Sequence, residues 1–462
     1  MLTEILGTAV HLVVLLIVGA PLFALALLLM GHIALGKLLS ERRIQQVTAS
    51  VFGLGLLGTL LLMLSFAFSS ERHVIVQIGS LLSLRGYHFD LAIELTPLTL
   101  AFLALTFALS ALVGAYSARY LHRDSGFFRF YLLLVVFALG MELIVTARSL
   151  TLLFAGWELV GMTSALLIAF YYRRLGPTRH GLRAYATYRA TDIGLLLAVA
   201  ILEHAAHSAD FDRLDSVALP ASVQMLVALL IVFGAMGKGA IVPFTGWLPK
   251  AMEGPTPSSA IFYGALSIHA SPYLLLRAAP LIERVPIARG AIIVLGALTF
   301  LHAMMVGRTR PDIKTALGYA SVAQVALIWV EVGLGLYTLA IIHILGHAAV
   351  RTWQLLRAPS VLSDHAVRAA RRRQAGWALS FGWWLPGRLE AWLYRASLDQ
   401  WHFDSLARAL IVAPVRAVLL WIDAGDRRAR SWLGAEDVVD APRPSQAEPT
   451  AQPVPLSRKS KL

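Results

Sequence analysis

The 462-residue chain is 58% hydrophobic and 15% charged, with a mean hydropathy of +0.69, whereas soluble domains are nearer half apolar and a quarter charged. It has no cysteine, so disulfides, iron–sulfur clusters and thiolate metal sites are excluded, and its 14 histidines show no dense cluster with metal-ligand spacing. The net charge of +13 would suggest nucleic acid in a soluble protein. In a membrane protein lysine and arginine collect on cytoplasmic loops, and no nucleic-acid partner is expected.

In chain order, the apolar residues fall in blocks near the ~20 residues that cross a bilayer. They predict an all-α integral membrane protein with about 11 transmembrane helices. Their limits are near 9–31, 48–68, 95–116, 128–147, 150–172, 184–203, 221–244, 256–278, 288–306, 312–330 and 335–356. No basic stretch precedes the first block, which reads as a retained span rather than a cleaved signal. Between the second and third spans, Val74-Ile75-Val76 and Tyr87 to Leu91 are β-prone and predict a small extracytoplasmic hairpin.

Basic residues alternate from side to side. Lys37, Arg42 and Arg43, then Arg119, Arg123 and Arg129, then Arg173, Arg174, Arg179 and Arg183, and later Arg308, Arg310 and Lys314 mark one face. The loop with Glu203, Asp210, Asp212 and Asp215 marks the other. The positive-inside rule then places the N-terminus outside and the C-terminus in the cytoplasm. After Leu356 the texture changes: Arg371-Arg372-Arg373 is followed by Trp383, Trp384, Trp392, Trp401, Trp421 and Trp432 among Leu and Arg. That pattern predicts helices lying at the interface. A further span over 406–422 is opposed by Arg408, Pro414 and Arg416. The chain divides into 1–94 (first spans and hairpin), 95–357 (membrane core), 358–440 (cytoplasmic or interfacial amphipathic helices) and 441–462 (a Pro-, Ser- and Gln-rich disordered tail).

Ionisable groups within a bilayer are costly, so each is a candidate for function. Glu158, in Gly156-Trp157-Glu158, needs a cation or a proton unless it reaches an interface. Lys238 lies between Gly237 and Gly239 with Pro243 following, which predicts a helix broken near its centre around a lysine of tunable proton affinity. The competing reading is a lysine that snorkels to the surface. His343, His347 and Arg351 recur every fourth residue and share one helix face; two imidazoles can pass protons and the arginine supplies a fixed charge or gate. They read otherwise as packed, satisfied histidines, and a zinc site lacks a third ligand. Asp192, three residues after Arg189, and His269 complete the set; Asp192 either conducts or neutralises Arg183 or Arg189.

These pieces resemble a known family. Leu153 to Gly161, Gly234 to Pro243, Trp247 to Pro257, Asp312 to Ser321 and His343 to Arg351 follow in the order of the antiporter-like subunits of respiratory complex I, chain L above all. The resemblance spans roughly residues 90–357. It implies that Glu158 and Lys238 interact as a carboxylate–lysine pair, with Asp192, His343 and His347 along a central hydrophilic axis. It also implies an antiporter-like fold of inverted repeats, with the second repeat truncated after the eleventh span. Tyr263 stands where the family usually has histidine, and Arg351 where it usually has lysine.

Gln354 to Leu362 and the Trp/Arg-rich C-terminus resemble the short membrane subunit of DAB-type inorganic carbon accumulation complexes. That resemblance implies a proton- or cation-conducting subunit, not itself an enzyme, in a bacterial inner membrane. Its flow would energise CO2 hydration to bicarbonate by a large cytoplasmic zinc-binding, carbonic-anhydrase-like partner. No cofactor is expected in this chain, and the zinc would lie in the partner. A subunit of a redox-driven pump or cation/proton antiporter complex, and a non-conducting membrane anchor, are the alternatives.

Overall fold

The computed structural model describes residues 2–34, 39–69, 72–84, 87–214, 219–310, 312–358, 387–407, 409 and 413–432. The apolar blocks are helices: α1 (Leu2–Ala34), α2 (Glu41–Phe68), α3 (Pro97–Tyr120), α4 (Phe127–Thr146), α5 (Leu150–Ile168), α6 (Leu175–Ala206) and α7 (Ala221–Gly239). A segmented span follows, made of α8 (Thr256–Ser258), a π-helical turn over Ser259–Ala265 and α9 (Ala270–Arg277). Then come α10 (Ala279–Glu283), α11 (Pro286–Arg308), α12 (Ile313–Gly333) and α13 (Tyr337–Leu356). Among the described residues ten helical stretches are long and apolar enough to cross a membrane, and α1 is apolar over Ile17–Ile33. Every residue in the most apolar window of Thr256–Arg277 is buried, so this broken span is the centre around which the others pack. Leucines 54, 57, 61 and 64 of α2 are exposed, as suits a face turned to lipid.

The hairpin between α2 and α3 is larger than its β-prone residues predict. Strands β1 (Val74–Leu84) and β2 (Tyr87–Leu95) pair antiparallel from Val74 opposite Leu95 to Leu84 opposite Tyr87, with two register shifts. It is fastened to the α4–α5 connection, where the Arg148 amide donates to the Ala92 carbonyl at 3.3 Å. A buried ion pair adds to this: Arg277 Nη2 meets Glu94 Oε2 at 2.5 Å and donates to the Ala147 carbonyl at 2.9 Å.

The predicted break in the seventh span is a true helix end. Helix α7 stops one residue after Lys238, Ala240 takes a left-handed conformation with φ 52°, and 3-10 turns follow over Phe244–Trp247 and Lys250–Glu253. The unwound carbonyls are satisfied locally, as apolar surroundings demand. Ile241 N–H reaches Met236 O at 3.0 Å, and the Trp247 indole donates to Gly237 O at 2.9 Å.

Beyond the membrane helices, α14 (Gly387–Leu398), a 3-10 turn over Gln400–His402 and α15 (Phe403–Ala407) belong to the same compact unit, Met1–Ala407. Arg310 Nη2 donates to the Ser397 carbonyl at 2.8 Å, and Ser397 is fully buried; part of this segment therefore packs on protein. A second unit contains α16 (Ala413–Trp432), which covers most of the 406–422 stretch and is not among the ten apolar spans. Arg371 to Arg373, Trp383, Trp384 and the tail 441–462 lie outside the described residues.

Candidate functional site: a charged axis through the buried helices

Helices α5, α6 and α7 bring one cluster together. Its base is close helix contact: a Cβ on Gly156 would lie 2.8 Å from the Ile144 nitrogen, so only glycine lets α4 and α5 approach there. Lys238 is wholly buried in the last turn of α7, where the helix dipole favours a cation. Its Nζ lies 3.7 Å from Asp192 Oδ2 and 4.6 and 4.8 Å from the centres of the Trp157 and Tyr188 rings. Asp192 also accepts from the Trp157 indole at 2.6 Å and from Arg189 Nη2 at 2.8 Å. The other arm of Arg189 pairs with Glu158. The two-residue pair implied by the family resemblance is thus a line of four charges, Lys238–Asp192–Arg189–Glu158. Asp192 contacts Lys238, and Arg189 stands between the two carboxylates.

The lysine chamber is roofed by aromatic rings. Trp247 sits edge-on to Tyr188 at 4.9 Å and to Tyr263 at 5.6 Å. Ser164 Oγ lies 3.3 Å from both the Tyr188 and Tyr263 hydroxyls. Tyr263 comes from the π turn, which widens the helix and re-aims side chains. The next residue, Gly264, abuts Arg351: a Cβ there would lie 3.2 Å from Arg351 Cγ. The π turn is the hinge between this cluster and the next.

The second cluster joins the start of α9 to α12 and α13. His269 Nε2 lies 2.9 Å from His347 Nδ1, and Arg351 Nε reaches His347 Nε2 at 3.4 Å. His269 Nδ1 faces the Ala265 carbonyl, left open by the π turn. A carbonyl only accepts and a guanidinium only donates. These ends set both tautomers: His269 carries its proton on Nδ1, His347 on Nδ1, and the bond between the rings runs from His347 to His269. Both imidazoles are then neutral. His343 differs, since Nδ1 faces Glu331 Oε1 at 2.8 Å and Nε2 faces Gln324 Oε1 at 2.9 Å.

All eight residues singled out in the sequence lie in these two clusters. Residues not singled out complete them: Trp157, Ser164 and Tyr188 around the lysine, and Gln324 and Glu331 around His343. Glu142 was also passed over. It is fully buried in α4, with neither carboxyl oxygen hydrogen-bonded among the described residues. As an acid inside an apolar block it satisfied the same rule that selected Glu158.

A multi-pass helical membrane protein with broken helices at a buried charged axis is an ion-carrier architecture. Residues 147–375 match the family described as NADH:quinone oxidoreductase/Mrp antiporter, transmembrane, and residues 81–131 match the N-terminus of chain 5 of NADH-ubiquinone oxidoreductase (complex I); together they cover more than half of the chain. The chain belongs to this family of antiporter-like membrane subunits. It is 33% identical over 284 residues to NADH-ubiquinone oxidoreductase chain 5 of Neurospora crassa, covering 61% of this chain and 39% of that one. It is 34% identical over 289 residues to NADH-quinone oxidoreductase subunit L of Rhodobacter capsulatus, covering 58% and 41%. A chain of the Mrp complex from Dietzia sp. DQ12-45-1b superposes with a TM-score of 0.62 at 25% identity, over 75% of this chain and 37% of that one. The chain thus spans less than half the length of these relatives.

Proposed function

We propose that this chain conducts protons along the buried axis and transmits their flow to a cytoplasmic partner. The observation that carries the reading is Lys238, a fully enclosed lysine at a broken helix end whose one carboxylate contact among the described residues, Asp192, is shared with Arg189. An arginine able to reach two carboxylates gives the axis two settings. With Lys238 protonated, Asp192 pairs with it and Arg189 leans to Glu158. With Lys238 neutral, Arg189 takes Asp192 and Glu158 is released. A proton reaching His347 Nε2, once Arg351 moves aside, passes out through Nδ1 to His269. Arg351 is the gate because its guanidinium does not usefully deprotonate.

The partner we infer is a large zinc-binding, carbonic-anhydrase-like protein hydrating CO2 to bicarbonate in a bacterial cytoplasm. Support comes from the string Gln354 to Leu362, from the Trp- and Arg-rich residues after it, and from base-rich loops that place the C-terminus inside. A second reading, a subunit of a redox-driven pump or cation/proton antiporter complex, is favoured by the names of the relatives. It uses the same axis with another partner. Affinity purification from native membranes separates the two: a zinc protein at fixed stoichiometry supports the first, a set of redox or antiporter subunits the second. Under the first, Lys238→Ala at normal protein level abolishes growth that depends on carbon uptake at low CO2; normal growth would refute it.

A further inference from the structure

Helices α1 and α2 stand apart over part of their length. Between Ile17 and Leu27 of α1 and Gln46 and Leu61 of α2 they leave a groove of about 740 Å³. Small residues deepen it: Gly19 and Ala20 on one wall, Ser50 and Gly58 on the other. A Cβ added at Gly19 would meet nothing within 4 Å. The α2 wall is graded in polarity. Its lining residues recur every third or fourth position, so they share a helix face with Arg43, one turn before Gln46. Along that face come a guanidinium, the Gln46 amide, the Ser50 hydroxyl and then Leu54, Leu57 and Leu61. Arg42 and Arg43 are exposed. Glu41 beside them is engaged elsewhere: its oxygens face His122 Nδ1 at 2.8 Å and accept the Arg123 amide at 2.9 Å.

We propose that this groove binds one acyl chain of an acidic glycerophospholipid whose phosphate is held by Arg42 and Arg43. The order of groups on α2 is that of the lipid: charge for the phosphate, amide and hydroxyl for the glycerol esters, leucines for the chain. Arg43 precedes Gln46 by about 4.5 Å along the axis, which sets the guanidinium against the phosphate when the amide meets an ester. From Ser50 to Leu61 the groove runs about 16 Å. That is close to the ~15 Å of hydrocarbon in one leaflet, half of the bilayer core. The length also separates a lipid chain from a helix of another subunit. A crossing helix would need a trough along the full ~30 Å of the core, whereas Met63, Leu64 and Phe68 of α2 are exposed beyond the end of the groove. Two arginines at the membrane surface favour an acidic headgroup over a zwitterionic one. The site lies apart from the charged axis and holds whether or not that axis conducts.

The test places the intact complex in phosphatidylcholine bilayers with a trace of phosphatidylglycerol carrying a photoreactive diazirine on its acyl chain. The same label on phosphatidylcholine serves for comparison, and mass spectrometry counts the label on peptides of α1 and α2. Wild type should take phosphatidylglycerol over phosphatidylcholine by about fivefold or more. In the double variant Arg42→Gln/Arg43→Gln that preference should vanish. Gly19→Leu, which fills open space in the groove, should cut labelling of residues 50–61 by both lipids severalfold while Leu64, outside the groove, is labelled as before. Equal labelling by the two lipids in wild type, or an unchanged preference in the arginine variant, overturns the site. So does labelling in Gly19→Leu equal to wild type. A crosslink to another subunit from a photoreactive side chain placed at position 57 would assign the groove to protein and overturn it as well. Should the double variant fail to accumulate, Arg43→Gln alone decides by the same rule.

Discussion

Asp192 carries more than any other side chain in the axis: it faces Lys238, holds Arg189 and accepts the Trp157 indole. Asp192→Asn leaves a buried lysine without its counter-charge, which costs about 3–5 kcal/mol when one side of a buried pair is removed. The expected result is a clear fall in melting temperature in detergent, partly restored by adding Lys238→Met. An unaltered melting temperature in the single variant would show that Asp192 does not neutralise the lysine. At Arg351 the contact to His347 is a single donor at 3.4 Å, so positive charge matters more than the forked shape. Arg351→Lys should retain most proton flux and Arg351→Ala lose it; equal loss in both would mean that the guanidinium geometry is needed. The charged residues of the axis were legible because ionisable groups stand out against apolar helices. Their pairing was not. Glu158 and Asp192 both lie within reach of the α7 lysine in sequence terms, and only the packed angles of α5, α6 and α7 choose between them. The aromatic box of Trp157, Tyr188 and Trp247 looks, in sequence, like ordinary core.

Helices follow from the length of apolar blocks, so the spans and the hairpin were readable; the interruptions were read only in part. Gly-Lys-Gly with a following Pro signalled the end of α7. The π turn over Ser259–Ala265 has no comparable signal, yet it aims Tyr263 at Ser164 and frees the Ala265 carbonyl for His269. Close helix contact gives the sharpest test at this scale. At Gly156, a Cβ would press on the backbone and Leu143 of α4 at 2.8 Å. Gly156→Val should destabilise by about 1–3 kcal/mol, as overpacking does, and lower membrane accumulation. Accumulation equal to wild type would show that α4 and α5 can part without harm. The hairpin is held by Glu94 and Arg277, a feature invisible in sequence because 183 residues separate the two. Glu94→Gln should speed protease cutting of the hairpin while leaving the core intact.

Two broken spans side by side and a line of charge beside them are the features on which the proposed conduction rests. The region after Ala358 carries Trp and Arg, residues enriched in binding hot spots, and a basic run at Arg371 to Arg373. Removing residues from Arg371 onward should leave the protein in the membrane and release a cytoplasmic partner. Full retention of the partner would place docking on the loops between spans. The central claim is conduction through Lys238, and proton flux into vesicles reconstituted with the purified complex tests it most directly. With wild type and Lys238→Ala inserted at equal amounts, the account expects flux driven by an imposed pH gradient in wild type and a rate at the level of empty vesicles in the variant. Equal flux in the two would contradict it.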